Sequence, residues 1–145
     1  TSMKRILEIT LVREYDSDPD LSWLITECEL TPDLRIISSC RYSDETILEY
    51  GEEQVLEWIA EDHAQYRTYG DSWHMVGVRA VAEVVVRGAI ITVQTPGIWG
   101  IESDSDEEYF NAVALDECDY LRELLLEMDF CEAEIQRAIV GRKWA

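Results

Sequence analysis

WHMVGVRAVAEVVVR, residues 73–87, alternates along almost its whole length. Val76, Val78, Ala80, Ala82, Val84 and Val86 fall on one face. Met75, Arg79, Glu83 and Arg87 fall on the other, with Val81 and Val85 among them. Side chains of a pleated strand point alternately to its two faces, so a period of two with one apolar set predicts a strand that buries a face. Gly88 supplies a turn and AIITVQT (89–95) returns, which predicts an antiparallel hairpin. Pro96-Gly97 interrupts the second arm, and IWGI (98–101) resumes it briefly.

Working outward, KRILEITLVREY (4–15) sets Ile6, Glu8 and Thr10 against Leu7, Ile9 and Leu11, a second strand pattern. DSDPDLSWL (16–24) follows as an Asp/Pro loop, and LRIISSCRY (34–42) reads as a short strand. From Asp44 to about Tyr69 the period lengthens. Ile47, Leu48, Val55, Trp58, Ile59 and Tyr66 recur at helical spacings, with Gly51 a break after the first turns. Ser43 caps this helix, Asp44 and Glu45 suit its positive end, and Gly70-Asp71 closes it. Ser105 and Glu108 have capping-box spacing for a helix over 106–129, whose stripe is Phe110, Val113, Ala114, Cys118, Leu121, Leu125 and Met128. EAEIQRAIVGRKW (132–144) predicts a short amphipathic helix with Arg142-Lys143 near its C-terminus. The expected fold is α+β: an antiparallel β-sheet covered on one face by two long helices, then a short C-terminal helix.

A length of 145 residues fits one domain over 1–145, with Thr1-Ser2 read as a cloning remnant. Five Trp and seven Tyr supply large burial units, which argues against disorder. No apolar run reaches the roughly 20 residues of a membrane helix, and the start lacks signal-peptide character. Cys28, Cys40, Cys118 and Cys131 form no CxxC pair and have no histidine at zinc spacing, so reduced thiols and a cytoplasmic setting are expected.

Chemistry-bearing motifs are few. Asp16, Asp18, Asp20 and Glu27 match four ligand places of a calcium loop, but Leu21 stands where that loop needs glycine and Pro19 stiffens it. A turn is the better reading. Glu102, Asp104, Asp106, Glu107 and Glu108 could gather a hard cation, yet helix capping accounts for the same residues. His63 is expected on a helix surface and His74 at a strand start. No nucleophile elbow, phosphate loop, dinucleotide fingerprint or zinc-protease motif is present, so neither catalysis nor a cofactor is expected.

Charge is the outlier: 31 Asp and Glu against 12 Lys and Arg, a formal net of −19. Solubility of a small domain needs a magnitude of only roughly 2–8. Residues 14–33 hold seven acids and no base, 44–62 eight and no base, and 102–134 thirteen with only Arg122. Nucleic acid and anionic membrane would be repelled as direct partners. Carboxylates three and four apart on a helix lie about 5–6 Å from one another and can present an array that resembles phosphates to a basic groove. A solvated surface or adaptation to high salt is the competing reading, since only two of the bases are lysines.

DSDPDLSWL (16–24), SWHMVGVRAVAEV (72–84) and GIWGIESDSDEEYF (97–110) resemble, in this order, a family of small proteins of phages, plasmids and other mobile elements. The likeness covers about two thirds of the chain and leaves 25–50 unmatched. It supplies no activity, cofactor or catalytic residue, but it implies a mobile-element origin and favours an inhibitor of host defence. The expectation is therefore a non-catalytic binding protein. Its partner would be a basic nucleic-acid-binding protein of a bacterial host, of the kind that anti-CRISPR or anti-restriction proteins block. The contact residues expected are Glu49, Glu52, Glu53, Glu57 and Glu61 with Glu102, Asp104, Asp106, Glu107 and Glu108, anchored by Trp23 or Trp144. An accessory mobile-element protein with incidental acidity is the alternative.

Overall fold

A computed structural model describes residues 4–25, 28–30, 32, 35–39 and 41–145. The alternating stretch forms β4 (Met75–Val86), and the hairpin partner is β5 (Ala89–Gln94). Arg87 and Gly88 both take positive φ, 53° and 82°. Two left-handed residues make the tight turn whose twist matches a hairpin, and glycine adopts that conformation without steric cost. β6 (Ile98–Glu102) pairs with the earlier part of β4, so the interruption at Pro96-Gly97 splits one edge into two short strands. Thr95 repairs the gap: its Oγ1 accepts the Ala80 N–H at 2.9 Å.

β1 (Lys4–Tyr15) pairs antiparallel along β4, from Lys4↔Val86 to Tyr15↔Val76. The two faces expected for β1 need one correction. A register shift between Ile6 and Glu8 moves Ile6 to the side of the buried Ile9 and Leu11 and leaves Leu7 45% exposed. An extra residue reverses the alternation at that point.

The apolar face of this sheet packs against α3 (Glu107–Glu127) and α4 (Glu132–Val140). Ile9, Leu11, Ala80, Ala82 and Val84 share a cluster with Leu121, Leu125, Phe130, Ile135 and Ile139. Val76, Val78, Ile101, Phe110 and Val113 form a second. Burying each large side chain contributes about 1.5–3 kcal/mol, which makes these clusters the main stabilising term of the sheet. The tail differs from expectation. Its helix stops at Val140, and Lys143–Trp144 becomes a short parallel strand, β7, beside Thr10 and Leu11.

These elements form one of two compact units, the chain up to Ser17 and again from His74 to Ala145. The other unit is Asp18–Trp73. It holds a 3₁₀ turn (Ser22–Leu24), a two-stranded sheet of β2 (Cys28–Leu30) and β3 (Ile36–Ser39), and helices α1 (Asp44–Tyr50) and α2 (Glu52–Arg67). Its apolar cluster is Ile36, Ile47, Val55 and Ile59. The helix read over 44–69 is thus divided at Gly51, whose φ of 88° ends α1. It belongs to this second unit, while the helices packed on the main sheet are α3 and the short α4. Leu48 and Tyr66, counted in the helical apolar pattern, are 85% and 43% exposed.

Cys28, Cys118 and Cys131 are free thiols, and Cys40 lies outside the described residues. Burial pushes the Cys118 thiol up, with nearby Arg142 opposing the shift, so it stays an inert core group. No helix among the described residues is long and apolar enough to cross a membrane.

Candidate functional site

The ten acidic residues expected to meet a partner divide between the two units. Glu49, Glu52, Glu53, Glu57 and Glu61 lie on α1 and α2, and Glu102 to Glu108 lie on β6 and the start of α3. Their environments are unequal. Val55, Ile59 and Asp62 form the buried side of α2. At about 100° per residue, Glu53, Glu57 and Glu61 then stand in one row on the opposite side, and all three are exposed. No ion pair engages this row among the described residues. Glu57 accepts from the Gln54 amide at 3.3 Å, and Arg67 is the only base of the helix. Glu52 serves structure instead, bound by Arg35 at 3.0 Å. Glu49 is exposed on α1, across the Gly51 break.

In the second set, Asp106 is the N-cap of α3. Its carboxylate accepts the Tyr109 N–H at 2.8 Å, so the cap is Asp106 and the Ser105/Glu108 capping box does not form. A β-region residue with a short acidic side chain at that place satisfies an otherwise orphaned N–H. Glu107 pairs with Arg13 at 3.5 Å, and the Arg13 guanidinium lies 3.6 Å from the centre of the Phe110 ring. Glu102 is half-buried in β6 opposite Met75, while Asp104 and Glu108 are exposed. No group of three or more His, Cys, Asp or Glu among the described residues is arranged to hold a metal ion.

Asp20, from the calcium-loop pattern, accepts from Ser22 N–H at 3.0 Å and from Ser22 Oγ at 2.6 Å. Those bonds lower its pKa and make a local turn. Glu27 lies outside the described residues.

One row escaped notice in the sequence. Asp116, Asp119, Glu123 and Glu127 are all exposed on α3 and follow at spacings of three and four. The signal was the same period that marks the apolar stripe, read on the opposite side. Tyr120 is 50% exposed on the same helix. Arg122 touches this row, pairing with Glu123 at 2.9 Å and with Glu132 at 2.7 Å.

Of the two aromatic anchors, Trp144 is exposed as expected and Trp23 is not fully so. Trp23 is only half-buried, with its indole N–H donating to Asp20 O at 3.1 Å and Arg41 5.2 Å from its ring centre. Trp144 is 37% exposed on β7. His63 is not a plain surface residue. Its Nε2 is buried and finds no hydrogen-bond partner among the described residues. His74 stands at the start of β4 as expected, stacked on Tyr15 with ring centres 5.5 Å apart.

Residues from the 72–84 and 97–110 stretches and Asp16 meet at one end of β4. Trp99 lies so close over Gly77 that a Cβ there would come within 2.3 Å of its ring. The Trp99 indole donates to Pro96 O at 2.9 Å. His74 N–H donates to Ser103 Oγ at 2.9 Å, and Asp16 N–H donates to Met75 O at 2.9 Å. These residues thus form a packing junction.

Asp62 and Glu117 are also buried. In the second unit the Asp62 carboxylate accepts from Tyr42 Oη at 2.9 Å and is paired with Arg41. Burial first, then the bond to Asp62, pushes the Tyr42 phenol up to about 12. In the first unit Glu117 is 3% exposed, and burial raises its pKa against a bond from Thr95 that lowers it.

Compared with family models, curated proteins and solved structures, the chain finds no match.

Proposed function

We propose that this chain is a non-catalytic binding protein of mobile-element origin, whose acidic helix faces occupy a nucleic-acid-binding groove of a basic bacterial defence protein. The observation that supports this reading is the row Glu53, Glu57 and Glu61 on α2. Like charges four apart destabilise a helix by roughly 0.2–0.5 kcal/mol per pair. No base in the row offsets that cost, and a neutral polar residue would solvate the face equally well. Asp116, Asp119, Glu123 and Glu127 form a second exposed row on α3, in which Glu123 is paired with Arg122. Glu49, Asp104 and Glu108 add exposed charge near the two rows.

The rows are sparser than nucleic acid. Four residues of helix rise about 6 Å, so one charge falls in about 6 Å, against one phosphate per 3.4 Å of a DNA strand. A groove that neutralises many phosphates would meet fewer charges here. Recognition then rests on fast electrostatic steering plus an apolar contact, for which Tyr109 and Tyr120 are exposed aromatics on α3.

The test is retention of nuclease-treated bacterial lysate proteins on the tagged chain at low salt, followed by elution with a DNA or RNA duplex. Nucleic-acid-binding proteins that the duplex displaces are expected. Neutralising Glu53, Glu57 and Glu61, or Asp116, Asp119, Glu123 and Glu127, to the matching amides should weaken their retention roughly tenfold. Retention that the duplex does not compete, or that survives both sets of substitutions, would reject the reading in favour of incidental acidity.

A further inference from the structure

Across from β4, the only strand beside β1 among the described residues is β7, which pairs with just Thr10 and Leu11. From Lys4 to Ile9 that edge has no strand partner among the described residues. A groove of about 520 Å³ runs there between β1 and α4, with Ile6, Ile9 and Ala138 among its apolar lining and Arg137 and Lys143 as its bases.

The edge holds a stand-in for a missing strand. Ile6 N–H donates to Glu134 Oε1 at 2.6 Å, the place a neighbouring strand's carbonyl would take. The two bases are also not engaged by the groove's own carboxylates. Arg13, Arg79 and Arg122 of the same unit each have a carboxylate partner. Arg137 and Lys143 enter no ion pair among the described residues, in a chain with 31 acids. Of the groove's two carboxylates, Glu134 is engaged by Ile6, and Glu8 stands in register with Glu83 on β4.

We infer that the free edge of β1 accepts an extended, acidic segment of a partner protein as an added strand. The segment's backbone carbonyl replaces Glu134 at Ile6 N–H, its carboxylates meet Arg137 and Lys143, and its alternate apolar side chains enter the groove. Screening over about 8 Å at physiological salt lets these local bases act despite the net charge. A second copy of the chain fits the edge less well. The displaced register at Leu7 and the carboxylate on Ile6 are the kinds of feature that keep an edge from pairing with its own kind. This inference is independent of the acidic helix faces.

A labelled peptide alternating glutamate and valine serves as the probe, with its lysine–valine counterpart and a proline-interrupted version as controls. Binding by the full chain is read by fluorescence anisotropy at physiological salt, together with hydrogen-exchange protection of residues 6–9. The acidic peptide alone should bind and protect those amides. Glu134→Ala should tighten binding several-fold by freeing Ile6 N–H. Joint Arg137→Gln and Lys143→Gln substitution should weaken it roughly tenfold, with an unchanged circular dichroism spectrum. Equal binding of the lysine peptide, an unchanged or weaker Glu134→Ala variant, protection elsewhere, or sedimentation showing dimers joined through this edge would each overturn the inference.

Discussion

The two units bury their charge on opposite terms. In the first, β4 has Val78, Ala80, Ala82 and Val84 fully covered, and Glu117, its most deeply buried acid among the described residues, is held by a hydroxyl. In the second, four aliphatics are supplemented by Arg41, Tyr42 and Asp62, a charged network with Trp58 tilted against Tyr42 and Tyr50 edge-on to Trp58. A sheet with a long apolar strand has enough area to stabilise itself. A segment of 56 residues with one small cluster does not, and it relies on polar groups whose bonds must all be made.

The largest expected effect breaks the first side of that contrast. Phe110 is fully buried in the cluster with Val76, Val78 and Ile101, and Arg13 rests on its ring. Phe110→Ala should cost about 3–5 kcal/mol from lost burial and an unfilled cavity. Hydrogen exchange should place that loss on the β4 amides. Equal loss of protection in α2 would mean that the two units do not unfold separately.

The second unit is tested through its charge. Asp62→Asn keeps the shape and an acceptor for Tyr42 but removes the partner of Arg41. The expected cost is about 1–3 kcal/mol, toward the lower end because Arg41 is one-third exposed. Urea denaturation followed by hydrogen exchange in α2 measures it. A neutral outcome would show that apolar packing alone holds the unit.

Alkali and acid separate the units further. A raised phenol pKa means that the folded state holds the Tyr42 proton more tightly than the unfolded state does. Its contribution is fully present below the ordinary tyrosine value of about 10 and is lost as pH rises through about 12. Tyrosinate absorbance should show one late step that disappears in Tyr42→Phe. Glu117 has the same sign at the other end of the scale. Its contribution is present below the ordinary carboxylate range and is lost as pH rises through its raised pKa. Glu117→Gln should therefore stabilise the first unit at neutral pH and flatten its response to acid.

The legibility of the sequence follows the same division. The β4–β5 hairpin, β1 and the stripe of α3 were readable because long apolar periods leave little freedom of interpretation. Leu7 was misplaced because the shift between Ile6 and Glu8 has no glycine or proline to announce it. β7 reads as helix in the sequence, since Gly141 is the only stop signal before Lys143 and two strand residues carry no period. Asp106 displaced Ser105 as the cap because both fit, and only the helix start decides between them. Among the ten acids, sequence could count charge but could not separate the row at Glu53, Glu57 and Glu61 from Glu52, Asp106 and Glu107. Those three are committed to Arg35, to a cap and to Arg13: the two arginines come from distant chain positions, and the cap depends on where the helix starts.

The smallest expected effect is the sharpest for function, because its two readouts move in opposite directions. Glu57 stands between Glu53 and Glu61, so Glu57→Gln removes two repulsive pairs at once. The variant should be more stable by about 0.4–1 kcal/mol, seen as a small rise in the urea midpoint with an unchanged slope. If the face meets a basic groove, the same variant should also be held more weakly by that partner. A surface present only for solvation predicts the stability gain without the binding loss. A gain in both would show that the carboxylate hinders the contact. The stability gain alone establishes that the row carries a cost, and only the accompanying loss of affinity gives that cost a purpose.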